Sequence, residues 1–432
     1  MWGGKNIFRN ITLVKDIFSS LHSRNYRLFF TGQGISLIGT WMQNVALSWL
    51  VYRLTGSVLL LGVVGFTSQI PSFVLSPFTG VITDRFNKIK IITLTQISFM
   101  LHALLVATLV LFQLIEVWHI IALSVLFGII TAFDTPARQS LVINLIDDPK
   151  DLGNAIALNS ALFNSGRLIG PAIAGIVIAI VGEGICFLIN AASFIAVIAA
   201  LQKIKIPHKK PSAISANFKK SFFDGVHYTF QSVPIRMLII LLALLSVISL
   251  SFIVLLPAYA KEVLHGKADT LGYLMSALGA GALCGALYMA SRKTVIGLGR
   301  LLALGIPILG LAVIAASFSG NLFFSLPAFF AGGIFMVISL SSINTMLQTI
   351  ADEDKRGRVM SFYAMALMGM TPIGNLLAGI FASKIGLTNT FLLSGIITVL
   401  SGFWFGMNLK SLRRYVRPIY VHKGILPHLP DN

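Results

Sequence analysis

The chain has 432 residues, of which 56% are hydrophobic and only 11% charged, and it carries a formal net charge of +18. Soluble domains carry roughly a quarter charged residues, so this composition excludes one and implies a chain dissolved in lipid. The basic excess is the kind that accumulates in cytoplasmic loops, which makes a nucleic-acid partner unexpected.

Residues 1–24 set Ile7, Ile11, Val14, Phe18 and Leu21 on one helical face with Lys5, Arg9 and Lys15 elsewhere. That is an amphipathic cytoplasmic segment at the membrane surface, without the continuous apolar core of a cleavable signal peptide. Six apolar runs follow, near 28–51, 57–82, 90–114, 118–137, 152–181 and 184–202. Each is long enough to cross a hydrocarbon core of about 30 Å, and together they predict an N-terminal six-helix bundle over 25–202. The linker 203–236 is basic, with Lys203, Lys205, Lys209, Lys210, Lys219 and Lys220, and sets Phe218, Phe222, Val226 and Phe230 on a second amphipathic face. Six further runs, near 237–260, 270–291, 297–318, 321–346, 358–384 and 388–409, predict a C-terminal bundle over 237–410, followed by a basic cytoplasmic tail, 411–432.

The predicted fold is therefore an all-α membrane protein of 12 transmembrane helices in two six-helix bundles, with both termini cytoplasmic. In that topology 28 of the 33 Lys and Arg residues lie on the cytoplasmic side, four lie outside and one, Arg167, lies within a span. Such an asymmetry orients the chain by the positive-inside rule.

Uncharged polar residues aligned through a span have no partners in lipid, so they are expected to face a hydrated pathway or another helix. Ser36, Thr40, Asn44 and Ser48 recur every four residues in the first span, joined by Gln33. Lesser candidates are Gln69 and Ser72 on the second span, Asn344 on the tenth and Asn375 on the eleventh. On the fifth span Ser160, Asn164 and Arg167 share a face. Arg167 stays protonated, so it either contacts an anionic substrate or a gate, or anchors helices to one another. Met360, Met365, Met368 and Met370, with Phe362 and Tyr363, supply either core packing or a soft apolar wall.

None of the fifteen acidic residues falls at mid-membrane; Asp134, near the inner end of the fourth span, is the deepest. His102 in the third span titrates near neutrality and is either a packing residue or a proton carrier. No Gly-rich phosphate loop ending in Gly-Lys-Ser/Thr appears, His and acidic residues do not cluster as metal ligands, and Cys186 and Cys284 sit singly in apolar runs. Neither cofactor, metal nor enzyme activity is expected.

Two stretches carry sharper information. In "SGRLIGPAIAG", Ser165 to Gly175, the small residues Gly166, Gly170 and Ala174 recur every four positions and make a smooth stripe for close helix packing. Pro171 cannot donate to the carbonyl of Arg167, which predicts a bend. The surrounding sequence from Asn154 aligns without gaps to that from Arg358, placing Gly170 on Gly374 and Ala174-Gly175 on Ala378-Gly379. Such a repeat is how secondary transporters build a midplane site between two halves. The second stretch is "GVITDRFNKIK", Gly80 to Lys90, in which Gly80 would permit close helix approach.

This second stretch resembles the signature loop of the major facilitator superfamily, with Asn87 where a glycine is usual; Asn tolerates a left-handed backbone nearly as well. The resemblance implies a conformational switch of Gly80, Asp84, Arg85, Lys88 and Asp134, in which Asp84 meets the helix starting near Arg356 to Val359 and Lys88 meets Asp134. Gly166, Gly170, Pro171, Ala174 and Gly175 resemble the superfamily's exporter motif, Ala174 standing for a glycine. Beyond motifs, "GTWMQNVALSWLVYRLTGS" at 39–57, "AFDTPARQSLV" at 132–142, "DLGNAIALNSALFNSGRLIGPAIAG" at 151–175 and "RGRVMSFYAM" at 356–365 resemble the branch around the bacterial enterobactin exporter. The chain departs from it at Thr40, where relatives carry Asp, and from superfamily antiporters at Ser124, where Arg is usual.

The resemblance implies a monomeric, multi-pass exporter of the bacterial inner membrane that moves a small amphipathic or anionic, siderophore-like or drug-like molecule by alternating access. Thr40, Asn44 and Arg167 would be the leading substrate contacts, and protons the coupling ion to test. Uptake or lipid movement on the same fold, and a receptor or scaffold without transport, are the competing readings.

Overall fold

The computed structural model describes residues 18–204, 227–292 and 294–427, except for the side chains of Pro77, Val81, Asp84 and Arg85. Both predicted amphipathic surface segments fall largely outside the described residues. What is described is helical, with no strand among the described residues. In lipid a helix satisfies its backbone by closing its own hydrogen bonds.

In chain order the helices are α1 (Arg24–Thr55), α2 (Val58–Arg85), α3 (Lys88–Leu111), α4 (Val117–Asn144), α5 (Leu152–Val181) and α6 (Glu183–Lys203). They are followed by α7 (Val233–Val263), α8 (Ala268–Ser291), α9 (Leu298–Ser317), α10 (Leu322–Ile350), α11 (Arg356–Ile385) and α12 (Leu387–His422). Eleven helices among the described residues are long and apolar enough to cross a membrane. The one outside that set is α1: at 32 residues it is long enough, but its polar stripe lowers its apolar content.

Helix α7 is irregular, with π-turns at Leu245–Ser249 and Tyr259–Val263 and a 3₁₀ stretch at Ser251–Leu255. Helix α11 has one π-turn, Met365–Gly369. Single π-turns inside α-helices mark positions where side chains are re-aimed, often at functional sites.

The chain divides into two compact units, one drawn from Met1–Leu50 and Val74–Ser212, the other from Val51–Phe73 and Ala213–Asn432. In the first, Gly32 lets α1 approach α6 at Val197 and Ala200, and Gly39 does so at Asn190 and Ser193. Gln43 completes that seam by accepting a 2.6 Å hydrogen bond from Asn190 Nδ2. A separate cluster of Phe99, Ala103, Ile130, Ala191 and Phe194 joins α3, α4 and α6.

In the second unit α8 and α10 interlock through Gly281, Gly285 and Gly333, and α9 and α12 through Gly310, Gly395 and Gly402. The end of the linker docks on the α10–α11 turn. Tyr228 donates to Asp352 Oδ2 at 3.0 Å, and Lys355 Nζ lies 4.7 Å from the Tyr228 ring centroid. Burial pushes the pKa of the Tyr228 hydroxyl up. The tail returns to the same turn, where Lys423 Nζ donates to the carbonyls of Thr349 and Ala351 at 2.7 and 2.9 Å.

Val51–Phe73 packs in the second unit although it precedes the basic linker. Gly62 meets the backbone of α11, where an added Cβ would lie 2.6 Å from the Asn375 carbonyl oxygen and 2.9 Å from Gly379 Cα. Tyr52 donates a hydrogen bond to the Glu262 carboxylate, with Lys261 Nζ 5.6 Å from the Tyr52 ring centroid.

The aligned repeat has a structural counterpart inside each unit. Gly170 on α5 presses against α1 at Ile38, Trp41 and Met42, and its partner in the alignment, Gly374 on α11, presses against α7 at Val247 and Ser251. In both cases the missing side chain is what lets the helices touch backbone to backbone.

Candidate substrate-contact site

Helix α1 presents its polar residues to different surroundings. Gln33 and Ser36 are only 3% and 2% exposed, so neither lies on an open face. Thr40 is half-buried and returns its hydroxyl to the Ser36 carbonyl at 2.9 Å, and Ser48 does the same to Val45 at 3.0 Å. Asn44 is exposed. The reason is helical phase: Gly32, Ser36, Gly39 and Gln43 form the edge covered by α6, which leaves Asn44 and Ser48 on another edge.

On α5 the exporter-like motif has a definite task. A Cβ on Gly166 would lie 3.2 Å from Trp41 Cδ1, and one on Gly170 would lie 2.5 Å from Trp41 Cβ and 3.0 Å from the Ile38 carbonyl oxygen. These glycines make the seat for Trp41. Ala174 and Gly175 continue the buried edge, and the helix runs on through Pro171 to Val181. The Arg167 guanidinium carbon lies 5.8 Å from the Trp41 ring centroid, and Phe163 meets the same ring edge-on at 5.6 Å with an interplanar angle of 71°. Asn164 is buried, with Nδ2 donating to the Ser160 carbonyl at 2.8 Å, which makes it a helix-internal contact.

The remaining pathway candidates lie in the second unit. Asn375 is buried and its Nδ2 donates to the Gly65 carbonyl at 3.4 Å, so it fastens α2 to α11. Asn344 is half-buried and accepts from Gln348 one turn along α10. Gln69 is half-buried on α2. The structure thus brings Trp41, Phe163 and Arg167 together in one unit, with Asn44 one turn along α1 from Trp41, and holds Asn344, Asn375 and Gln69 in the other.

The loop motif is partly described. Asp84 and Arg85 have their side chains outside the described residues, so the expected contact of Asp84 with the start of α11 is outside them too. Gly80 has no described neighbour within 4 Å of an added Cβ. Asn87 is extended, with φ −64°, and caps α3 by accepting from the amides of Ile89 at 2.9 Å and Lys90 at 3.3 Å. Its role is capping rather than a left-handed turn.

Asp134 is 3% exposed. Its carboxylate pairs with Arg138 one turn along α4 and accepts hydrogen bonds from Thr95 Oγ1 and Gln96 Nε2, each at 2.8 Å. The i,i+4 spacing delivers the Arg138 guanidinium directly to the carboxylate, and Lys88 sits in the first turn of α3. His102 is buried, with Nε2 3.0 Å from the Leu123 carbonyl oxygen, and its ring centroid lies 5.7 Å from that of Phe127.

Trp41 was not singled out by the polar pattern because it is neither polar nor charged. Its signal lay in its place within "GTWMQ", one residue past Thr40 and three before Asn44, opposite a glycine stripe that had no assigned occupant. The Tyr52–Glu262 bond joins residues 210 apart and has no local signature.

Comparison with known proteins agrees with this architecture. Residues 16–414 match the model of the transmembrane secretion effector family. The chain is 28% identical to the staphyloferrin A transporter of Staphylococcus aureus over 86% of its length and 93% of that protein. It is 26% identical to the multidrug efflux pump Tap of Mycolicibacterium fortuitum over 86% of its length and 90% of the pump. Among solved structures, a bacterial homologue of the human lysosomal transporter Spinster superposes with a TM-score of 0.70 at 14% identity, covering 91% of this chain and 98% of that one, which is a likeness of fold. With its helices, its repeat and a family match across nearly its full length, the chain belongs to the transmembrane secretion effector family of the major facilitator superfamily.

Proposed function

We infer that the protein is a secondary transporter of the plasma membrane that exports small organic molecules. The observation that carries this reading is the family match over residues 16–414. Relatives named for siderophore transport and for multidrug efflux indicate the substrate range, a siderophore-like or drug-like compound. Twelve spans in two six-helix bundles with cytoplasmic termini, working by alternating access, account for the repeat and the charge asymmetry. Trp41, Asn44 and Arg167 are the leading substrate contacts of the first unit. Asp84, Lys88 and Asp134 remain the proposed switch, with Arg138, Thr95 and Gln96 holding the Asp134 carboxylate.

Coupling to protons is supported by neither Thr40 nor Ser124, which stand where acidic and basic groups are usual in relatives that use them. Export is tested by loading cells with a panel of fluorescent drugs and with ferric and iron-free siderophores. Overexpressing cells should retain less of at least one compound than cells carrying an empty vector; greater retention across the panel would instead establish uptake.

A further inference from the structure

Trp41 stands where three features of the first unit meet. Gly166 and Gly170 seat it against α5, Phe163 meets it edge-on at 5.6 Å, and the Arg167 guanidinium carbon lies 5.8 Å from its ring centroid. Phe163 is 48% exposed, and Asn44 on the next turn of α1 is exposed as well. We propose that Trp41 is a specificity-determining residue which, with Phe163 and Arg167, forms a corner for planar aromatic anions: the ring of the substrate lies against the indole and its acid group turns toward the guanidinium. This rests on reading the protein as a small-molecule transporter.

The chemistry follows from the geometry. Two rings at 71° offer one π face and one edge, and a third flat ring can satisfy both through offset-stacked and edge-to-face contacts. The guanidinium lies at the indole, where the ring's quadrupole favours a cation, and it keeps its charge, so it attracts an incoming anion. A saturated ring with the same acid group gains the charge attraction without the stacking. A neutral aromatic gains the stacking without the charge attraction. The corner therefore selects for both properties together. The glycines contribute by position, since a Cβ at 170 would lie 2.5 Å from Trp41 Cβ and would shift Trp41 against α5.

The test is equilibrium dialysis of the full-length protein in lipid nanodiscs against salicylate, cyclohexanecarboxylate and benzamide. Wild-type protein should bind salicylate roughly twofold to twelvefold more tightly than cyclohexanecarboxylate, the range expected of one aromatic pair. Trp41→Leu should abolish that preference while Trp41→Phe retains it, and Arg167→Gln should abolish the preference for salicylate over benzamide. Phe163→Leu, at a half-exposed position, should weaken the aromatic preference and serves where Trp41→Leu does not yield folded protein. Wild-type protein that binds salicylate no better than cyclohexanecarboxylate, or a folded Trp41→Leu protein that keeps the full preference, overturns the proposal. Binding is read without transport, so the two readings fail separately. Trp41-dependent binding in a protein that lowers retention of no compound removes export and leaves the corner. Export without aromatic preference removes the corner and leaves export.

Discussion

Gly170 shows how a single missing side chain places a functional residue. A Cβ there would lie 2.5 Å from Trp41 Cβ and 3.0 Å from the Ile38 carbonyl oxygen, and neither atom is the far end of a flexible chain. The backbones of α1 and α5 would have to separate. Overpacking of this kind costs about 1–3 kcal/mol, so Gly170→Ala should lower the thermal melting temperature of the detergent-solubilised protein. Gly153, near the start of the same helix, has nothing within 4 Å of an added Cβ. There alanine brings only its better helix propensity, worth up to about 1 kcal/mol in a helix interior, so Gly153→Ala should melt no lower than the wild type. Equal losses at both positions would mean that the seat for Trp41 is not what makes Gly170 intolerant of a side chain.

Helices were the most legible elements, since each apolar run of the sequence corresponds to a helix within a few residues at either end, except that α4 and α12 run on past their apolar cores. What a run of apolar residues cannot disclose is its partner. Helix α2 illustrates this: Val58–Arg85 is continuous, yet its portion up to Phe73 packs with the second unit. The determinants are Gly62 and Gly65, which look unremarkable within an apolar run and become informative only opposite Asn375 and Gly379, more than 300 residues away. Likewise the polar stripe of α1 was legible as a stripe, but which of its members are covered depends on where α6 lies. The contact at Gly62 makes a quantitative prediction. Gly62→Val and Gly379→Val would each force the same two backbones apart, so each should lower the melting temperature. Because the two changes act on one gap, their effects should couple: the double variant should lie close to the worse single variant rather than at the sum. Strictly additive losses would show that the two positions do not share a contact.

For the whole molecule the controlling quantity is the distribution of charge. With 33 basic and 15 acidic residues in so apolar a chain, the placement of Lys and Arg is an energetic instruction rather than a by-product of composition. Basic residues crowd the linker, the α10–α11 turn and the end of α12, where Tyr228, Lys355 and Lys423 fasten these segments together, while the turns at 112–116 and 318–321 contain none. That pattern predicts a sidedness that can be measured directly. After Cys186 and Cys284 are replaced by Ala, single cysteines at the exposed positions Gln113 and Gly320 should react with a membrane-impermeant maleimide on intact cells. Cysteines at Asp148 and Asp354, in turns flanked by Lys150 and by Lys355 and Arg356, should react only after permeabilisation. Labelling in the opposite order would place the basic turns outside and overturn the orientation. It would also reverse the side from which the Trp41 corner is loaded, because the same helices would then present their ends to the other compartment.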